Sequence, residues 1–387
     1  MRFRVLSVLV LLFIISASSP STSSLNIQVQ VHHIMAQSAS PSGRDLPGFE
    51  YDPINERVMM FGGGNDDDIL APYNDNWILN TTSGEWTELA LDNSPVYRSS
   101  TVMAYDSADE VIILFGGHNG TAWASDTWIF DCNTELWTEV TPAQSPHGRG
   151  SHAMVYDAEN EKALLFSGYS EDGPVVADTW AYDYTDNTWT EMNPSESPHA
   201  RYGAGYVYDI VTKTMIIFGG NSNGYFSDTW SYDYATDTWT ELNPAVHPQA
   251  LKWSRMTYDS TNHKTILFGG NSILSRAQNE TWIYDSTSNL WEQRQPTLAP
   301  PSREAFGFTY DSVNEKAVLF GGTTHNPTAM NDTWAYDYDA NTWTELGQPM
   351  DTTQTGMDPI VLVAIVSLGI VSLIIVIVCL RRRYAMP

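Results

Sequence analysis

Short runs in which apolar and polar residues alternate recur along most of the chain. One copy reads RGSHAMVYD at 149–157, ALLFSG at 163–168, TWAYDY at 179–184 and WTEM at 189–192. Runs this short, rich in β-branched and aromatic residues and separated by turns, predict β-strands rather than helices. Each copy therefore predicts four antiparallel strands.

The four-run unit is repeated six times between residues 44 and 346. Two tryptophans mark each copy, and both series advance in steps of 50 to 52 residues. The first series is Trp77, Trp128, Trp180, Trp230, Trp282 and Trp334, and the second is Trp86, Trp137, Trp189, Trp239, Trp291 and Trp343. A fixed period near 50 residues indicates a repeat architecture, and indole rings suit packing between stacked sheets.

A ring of six sheets buries the faces that one four-stranded sheet leaves exposed, which is how a β-propeller is built. The second run of five copies ends in a Gly-Gly pair, and Ser167-Gly168 takes its place in the third copy. This pair, the Tyr-Asp of the first run and the spaced aromatic residues resemble the kelch repeat. The resemblance implies an all-β fold, a six-bladed kelch-type β-propeller over 44–346, with one face that binds partners.

The first copy is complete, so the ring needs no strand from the far terminus. The leader at 25–43 contains LNIQVQVHH at 25–33, in which apolar and polar residues alternate. This segment is either an additional closing strand or simply a leader to the domain.

Two apolar segments predict an exported, membrane-anchored protein. Residues 1–24 combine Arg2 and Arg4 with an apolar stretch and small residues, as in a secretory signal peptide; a retained N-terminal anchor is the alternative. After a linker at 347–358, the segment 359–380 is uncharged from residue 360 and long enough to cross a bilayer once as a helix. The tail at 381–387 begins with three arginines, which favours a cytoplasmic C-terminus and a propeller outside the cell.

The charge balance narrows the choice of partners. The net charge is −27, and all acidic residues lie between 25 and 358. Such a surface repels nucleic acid and attracts cations, although solubility alone also explains it. The two cysteines, Cys132 and Cys379, lie in a predicted turn and in the predicted membrane helix, so no disulfide is expected.

An arginine recurs seven residues before the Tyr-Asp of most copies. The positions are Arg44, Arg98, Arg149, Arg201 and Arg303, with Lys252 adjacent to the exception, Leu251. One interpretation is a cationic ring that grips an acidic group of a partner. The alternative is structural, in which each arginine pairs with a repeated acidic residue of its own or the next blade.

The loops after the glycine pairs differ from copy to copy, as a recognition surface requires. Trp123, Tyr169, Tyr225 and Phe226 are candidate ligand-binding aromatics on these loops. The run Asp66, Asp67 and Asp68 offers oxygen ligands for calcium, but a solvated turn is the simpler interpretation. Candidate glycan acceptors in N-x-[ST] patterns are Asn80, Asn119, Asn279 and Asn331.

The function expected from these features is extracellular recognition of a protein or glycan partner. No nucleophile–base pair, paired-carboxylate motif or phosphate loop stands out. No cofactor is expected, and calcium at the aspartate run is the one candidate. The fold is also similar to that of galactose oxidase, a copper enzyme, but Cys132 falls on the opposite face from the site this would imply. A carbohydrate-active surface enzyme and a structural envelope component remain the alternatives.

Overall fold

The computed structural model describes residues 40–65, 72–170, 175–274, 276–324 and 329–347. The predicted signal peptide, the candidate strand at 25–33 and the predicted membrane segment at 359–380 all lie outside these ranges. Within the ranges described, no helix is long and apolar enough to cross a membrane.

Six sheets of four antiparallel strands, here called blades 1 to 6, make up the described chain. Blades 1 to 3 comprise β1 (Gly48–Asp52), β2 (Arg57–Phe61), β3 (Asn76–Asn80), β4 (Glu85–Leu89); β5 (Val102–Asp106), β6 (Val111–Phe115), β7 (Thr127–Asp131), β8 (Leu136–Val140); and β9 (Ala153–Asp157), β10 (Lys162–Phe166), β11 (Thr179–Asp183), β12 (Thr188–Met192). Blades 4 to 6 comprise β13 (Gly205–Asp209), β14 (Thr214–Phe218), β15 (Thr229–Asp233), β16 (Thr238–Leu242); β17 (Arg255–Asp259), β18 (Lys264–Phe268), β21 (Thr281–Asp285), β22 (Leu290–Arg294); and β23 (Gly307–Asp311), β24 (Lys316–Phe320), β25 (Thr333–Asp337), β26 (Thr342–Leu346). A two-stranded hairpin, β19 (Asn271–Ser272) and β20 (Arg276–Ala277), is inserted in blade 5 and was not predicted.

Burial within a blade follows the sequence pattern. The second strand is buried at nearly every position, as in RVMMF of β2, which is why it reads as a continuous apolar run. The outermost strand buries only its tryptophan, as in EWTEL of β4. The first strand of each blade packs against the first strands of both neighbours, so the six first strands line the central axis. The predicted six-bladed propeller is confirmed.

The outer-strand tryptophan of each blade fastens it to the preceding blade. Its indole N–H donates to a threonine or asparagine at the start of the preceding blade's third strand, at 2.9–3.2 Å. In blade 1, Trp86 donates to Thr333 Oγ1 of blade 6, which closes the ring. These buried tryptophans therefore combine apolar packing with a satisfied polar group.

A ring of backbone hydrogen bonds surrounds the axis just before the first strands. Each amide donates to the equivalent carbonyl oxygen of the preceding blade, from Leu46 N to Ala305 O at 2.6 Å through to Ala305 N to Trp253 O at 3.1 Å. The six members are Leu46, Ser100, Ser151, Gly203, Trp253 and Ala305, and all have positive φ between 45° and 64°. Five of them are not glycine, so the ring holds the backbone in a conformation that most residues avoid.

Candidate partner-binding face

The loops after the glycine pairs and the loops entering the first strands lie at the same end of the ring, here called the mouth face. Short antiparallel bridges join the two sets, such as Ser99 to His118 and Lys252 to Asn271. The opposite end, where the first and second strands of each blade connect, is called the turn face. The two loop sets therefore share one surface.

The five repeated arginines, for which a cationic ring and a structural pairing were the two interpretations, are buried in the blades. Arg44, Arg98, Arg149, Arg201 and Arg303 are each at most 1% exposed. Each guanidinium is bidentate to an aspartate before the third strand of its own blade, for example Arg98 to Asp126 at 2.7 and 2.9 Å. Each also donates to the carbonyl oxygen of residue 62, 116, 167, 219 or 321, the first residue of the glycine-pair position. This is the structural alternative given above, and the burial argues against ligand binding there.

The aspartate that pairs with each arginine also accepts a hydrogen bond from the first tryptophan of its blade. Asp126 Oδ2 accepts from the indole Nε1 of Trp128 at 2.8 Å. Burial alone would raise the pKa of the Asp126 carboxyl, but the hydrogen bonds and charge of Arg98, with the bond from Trp128, outweigh burial and lower that pKa. The same contacts lower the pKa values of the equivalents in blades 3, 4 and 6, which are Asp178, Asp228 and Asp332.

Blade 5 departs from this arrangement at both positions. Leu251 takes the place of the arginine and is 1% exposed, and Glu280 takes the place of the aspartate and accepts from Trp282 Nε1 at 2.9 Å. The expectation that Lys252 is equivalent to the arginines is therefore wrong. Lys252 lies one residue further on, with its Nζ 3.9 Å from the ring centroid of Trp253 and 5.5 Å from that of Tyr225.

A chain of aromatic side chains crosses the mouth face from blade 2 to blade 5. The ring centroids of Trp123 and Tyr169 are 5.4 Å apart, those of Tyr169 and Tyr202 are 5.6 Å apart, and those of Tyr202 and Trp253 are 6.2 Å apart. His118 extends the chain at 4.9 Å from Trp123. We call these five residues the mouth arc. All five are at least partly exposed, and Tyr169 is 43% exposed.

The inserted hairpin continues the mouth arc with aliphatic side chains. Lys252 bridges to Asn271 of β19, and the hydroxyl of Tyr225 donates to Asn271 Oδ1 at 3.1 Å. Ile273 and Leu274 follow β19 and are 76% and 86% exposed, the two highest values among the large apolar residues described. Exposed apolar side chains beside a rim of aromatics are typical of a protein-binding surface.

Sequence reasoning found part of this surface. Trp123 and Tyr169 of the arc were predicted, and so was Tyr225, which lies beside the hairpin. The fourth predicted aromatic, Phe226, stacks instead on the guanidinium of Arg201 at 4.4 Å. Tyr202 and Trp253 were missed. A signal was available, because Trp123 and Trp253 are the two tryptophans of the fourteen that do not follow the repeat.

The remaining candidate sites are placed as follows. Asn80, Asn279 and Asn331 are exposed, and Asn119 is partly exposed, with its Oδ1 accepting from the amides of Thr121 and Ala122. The aspartate run at 66–68 lies outside the described residues. In the part of the chain that the structure describes, no group of three or more His, Cys, Asp or Glu is arranged to hold a metal ion.

Comparisons with known proteins agree with the repeat architecture. Residues 23–197 and 158–366 match a family model described as "KLHDC2/KLHL20/DRC7 Kelch-repeats domain". Similar proteins include the dynein alpha chain of the flagellar outer arm of Chlamydomonas reinhardtii (27% identical over 48% of this chain), Adagio-like protein 3 of Oryza sativa subsp. japonica (26% over 43%) and Kelch domain-containing protein 3 of Homo sapiens (28% over 44%). The matched regions span 4%, 27% and 47% of the lengths of these relatives.

Proposed function

Because this chain belongs to the kelch-repeat family, whose propellers bind other proteins in general, we propose that it is a recognition protein that binds a protein partner through the mouth arc and the β19–β20 hairpin. The observation that carries the proposal is the pair Ile273 and Leu274, 76% and 86% exposed at the edge of the arc. Burying two such side chains in an interface is favourable, whereas leaving them in water is not.

The chemistry of the surface favours a protein over a glycan. Neighbouring rings of the mouth arc meet at interplanar angles of 54° to 80°, so they do not form a flat platform on which several sugar rings would stack. Aliphatic side chains at the hairpin tip add area that a hydrated sugar does not match. An apolar patch with aromatic anchors is instead what a protein interface requires.

Mutation of the hairpin tip tests the proposal. Full-length protein is used to isolate a binding partner, which is then purified and its Kd measured with the wild type and with variants. The double variant Ile273→Asp/Leu274→Asp and the single variant Trp123→Ala should each weaken binding by at least about 10-fold, because hot-spot truncations cost about 2 kcal/mol or more.

The matched control is Ile210→Asp/Val211→Asp, an exposed aliphatic pair on the turn face. This control should leave the Kd unchanged. Equal losses in both double variants, or binding that disappears when the partner's glycans are removed, would contradict the proposal.

We further propose that the propeller faces the outside of the cell, anchored by the apolar segment at 359–380. The support is the sequence pattern of that segment, the arginines after it and the export signal at 1–24. On intact cells, a membrane-impermeant biotin reagent should label the full-length protein, and deletion of 359–387 should release the propeller into the medium. Protein that is labelled only after lysis, or that stays in the cell after the deletion, would contradict this location.

A further inference from the structure

A cavity of about 320 Å³ lies inside the ring, lined by residues of the six first strands. Its lining begins just after the backbone ring, at residues such as Pro47 and Phe306, and extends to the turn face, at Pro53, Ser260 and Ser312. The Tyr-Asp tyrosines surround it near the turn face and are called the tyrosine collar: Tyr51, Tyr105, Tyr156, Tyr208, Tyr258 and Tyr310. The cavity is therefore distinct from the mouth arc.

Arg255 is a cation at a position that is uncharged in the other five blades. The equivalent residues at the start of the other first strands are Gly48, Val102, Ala153, Gly205 and Gly307. Arg255 is 9% exposed and lines the cavity. Its Nε donates to the carbonyl oxygen of Phe306 at 3.1 Å, but among the described residues no acceptor contacts its two terminal nitrogens and no carboxylate pairs with it. A buried cation without a counter-charge is costly, so this position suits an anionic ligand.

Glu50 is an anion that lines the same cavity. Its equivalents in the other blades are Ala104, Val155, Val207, Thr257 and Thr309, none of which is charged. Its Oε1 accepts from the amide of Tyr51 at 3.0 Å and from Thr309 Oγ1 at 3.1 Å. The side chain keeps access to the cavity but is surrounded by the six inner strands. This enclosure raises the pKa of the Glu50 carboxyl from 4.5 to about 7, against the lowering effect of those two hydrogen bonds.

The two charged groups lie at different depths along the axis. Arg255 is anchored to residue 306 and Glu50 to residue 309 of the same chain segment at β23. Three residues of extended chain correspond to about 10 Å. A dipeptide spans about 7 Å between its charged ends when extended, and a charged hydrogen bond adds about 2.8 Å at each end. Since about 7 Å is the extended limit and the two contacts take up about 6 Å, a dipeptide bent to bring its charged ends about 4–5 Å apart matches the offset of the two anchors.

We propose that the axial cavity binds a zwitterion of dipeptide size, with its carboxylate on Arg255 and its ammonium on Glu50. The wall carries apolar side chains at the strand position between the two charged ones: Phe49, Met103, Met154, Met256 and Phe308 all line the cavity. Polarizable methionines and aromatic rings suit an apolar side chain of the ligand. The same surroundings make both charged contacts stronger than they would be in water.

Calorimetric titration of full-length protein with Gly-Leu tests the proposal. Two blocked analogues, N-acetyl-Gly-Leu and Gly-Leu amide, each lack one charge and should bind at least about 10-fold more weakly, because hydrogen bonds to charged groups are worth about 1.5–3 kcal/mol. Glu50→Gln should abolish the difference between Gly-Leu and its N-acetyl analogue. Arg255→Gln should abolish the difference between Gly-Leu and its amide.

The pH dependence gives a separate test. Glu50 must be ionised to hold an ammonium, so binding should strengthen as the pH rises through about 7. It should weaken again above about 8, where the ligand's amino group loses its proton. The other titratable groups that line the cavity are Arg255, Tyr206 and the tyrosine collar. Burial raises the pKa values of Tyr206 and the collar tyrosines, which moves them further above this window. The rise should be absent in Glu50→Gln.

The control variant is Glu292→Gln, which removes a carboxylate that is 67% exposed on the outermost strand β22 and should leave the affinity for Gly-Leu unchanged. The unfolding midpoint of each variant shows whether it is folded. The blocked analogues test the wild type even if a variant fails to fold. No binding of Gly-Leu at millimolar concentration, or equal affinities for Gly-Leu and both analogues, would overturn the proposal.

Discussion

At the scale of single residues, the recurring device is a buried arginine, an aspartate and a tryptophan. Arg201 is 1% exposed, and its guanidinium nitrogens lie 2.7 and 2.8 Å from the Asp228 oxygens. Trp230 Nε1 donates to the same carboxylate at 2.8 Å. The carboxylate thus accepts hydrogen bonds from both Arg201 and Trp230. These hydrogen bonds offset the free-energy cost of burying the ion pair.

Removing one partner should be far more costly than removing a surface ion pair. Arg201→Ala leaves the Asp228 carboxylate without its counter-ion and should lower the free energy of unfolding by about 3–5 kcal/mol. Lys213→Ala removes an ion pair with Glu159 in which both side chains are 55% exposed, and should cost at most about 1 kcal/mol. Urea denaturation of the full-length protein measures both, and similar small losses would show that the buried pair contributes little.

The same pair makes a pH prediction with a definite sign. The pKa of Asp228 is lowered in the folded protein. Its contribution to stability is therefore present above the ordinary carboxyl pKa and is lost as the pH falls through the lowered value. Because Arg201→Ala removes the main cause of that lowering, the variant should lose less stability on acidification than the wild type does.

At the scale of the blade, the glycine pair shapes the link from the second strand to the mouth face. Gly219 has a φ of +69°, and a Cβ added there would lie 2.5 Å from the carbonyl oxygen of Leu251 in the next blade. Blade 3 has Ser167 at this position with a φ of +59°. Its hydroxyl donates to the carbonyl oxygen of Arg201 at 2.7 Å, so a hydrogen bond replaces what would otherwise be a clash.

Substitution of two glycines of blade 4 distinguishes the effect of backbone strain from the general effect of replacing a glycine. Gly219→Ala combines a left-handed backbone with a close contact to backbone and should destabilise the protein by at least about 2 kcal/mol. Gly224→Ala is the control, because a Cβ there meets nothing within 4 Å, and its effect should stay within about 0.5 kcal/mol. Thermal unfolding compares them, and equal shifts would show that the Gly219 contact relaxes freely.

At the scale of the whole molecule, the ring closes with the same contacts that join every other pair of blades. Trp86 donates to Thr333, Leu46 N donates to Ala305 O, and Gly322 N donates to Arg44 O at 2.8 Å. Each has an equivalent at the other five boundaries. Because sequential blades differ little in these positions, the closure needs no contact of a different kind.

The sequence by itself determined the architecture. A period of 50 to 52 residues, four alternating runs per copy and paired tryptophans specify six similar blades, since strand alternation and period are local properties that a single chain displays. The same repetition left two interpretations of the arginines open, a cationic ring and a structural pairing. A recurring cation looks alike in sequence whether it faces solvent or an aspartate about 30 residues away.

Only the tertiary structure decided what lies at the mouth and along the axis. Tyr202 and Trp253 come from different blades and become neighbours because the ring brings successive loops together. Arg255 and Glu50 are separated by 205 residues in the chain, yet both hold the segment at β23. Such groupings depend on how six sheets meet around an axis, and no local pattern in the chain encodes that meeting.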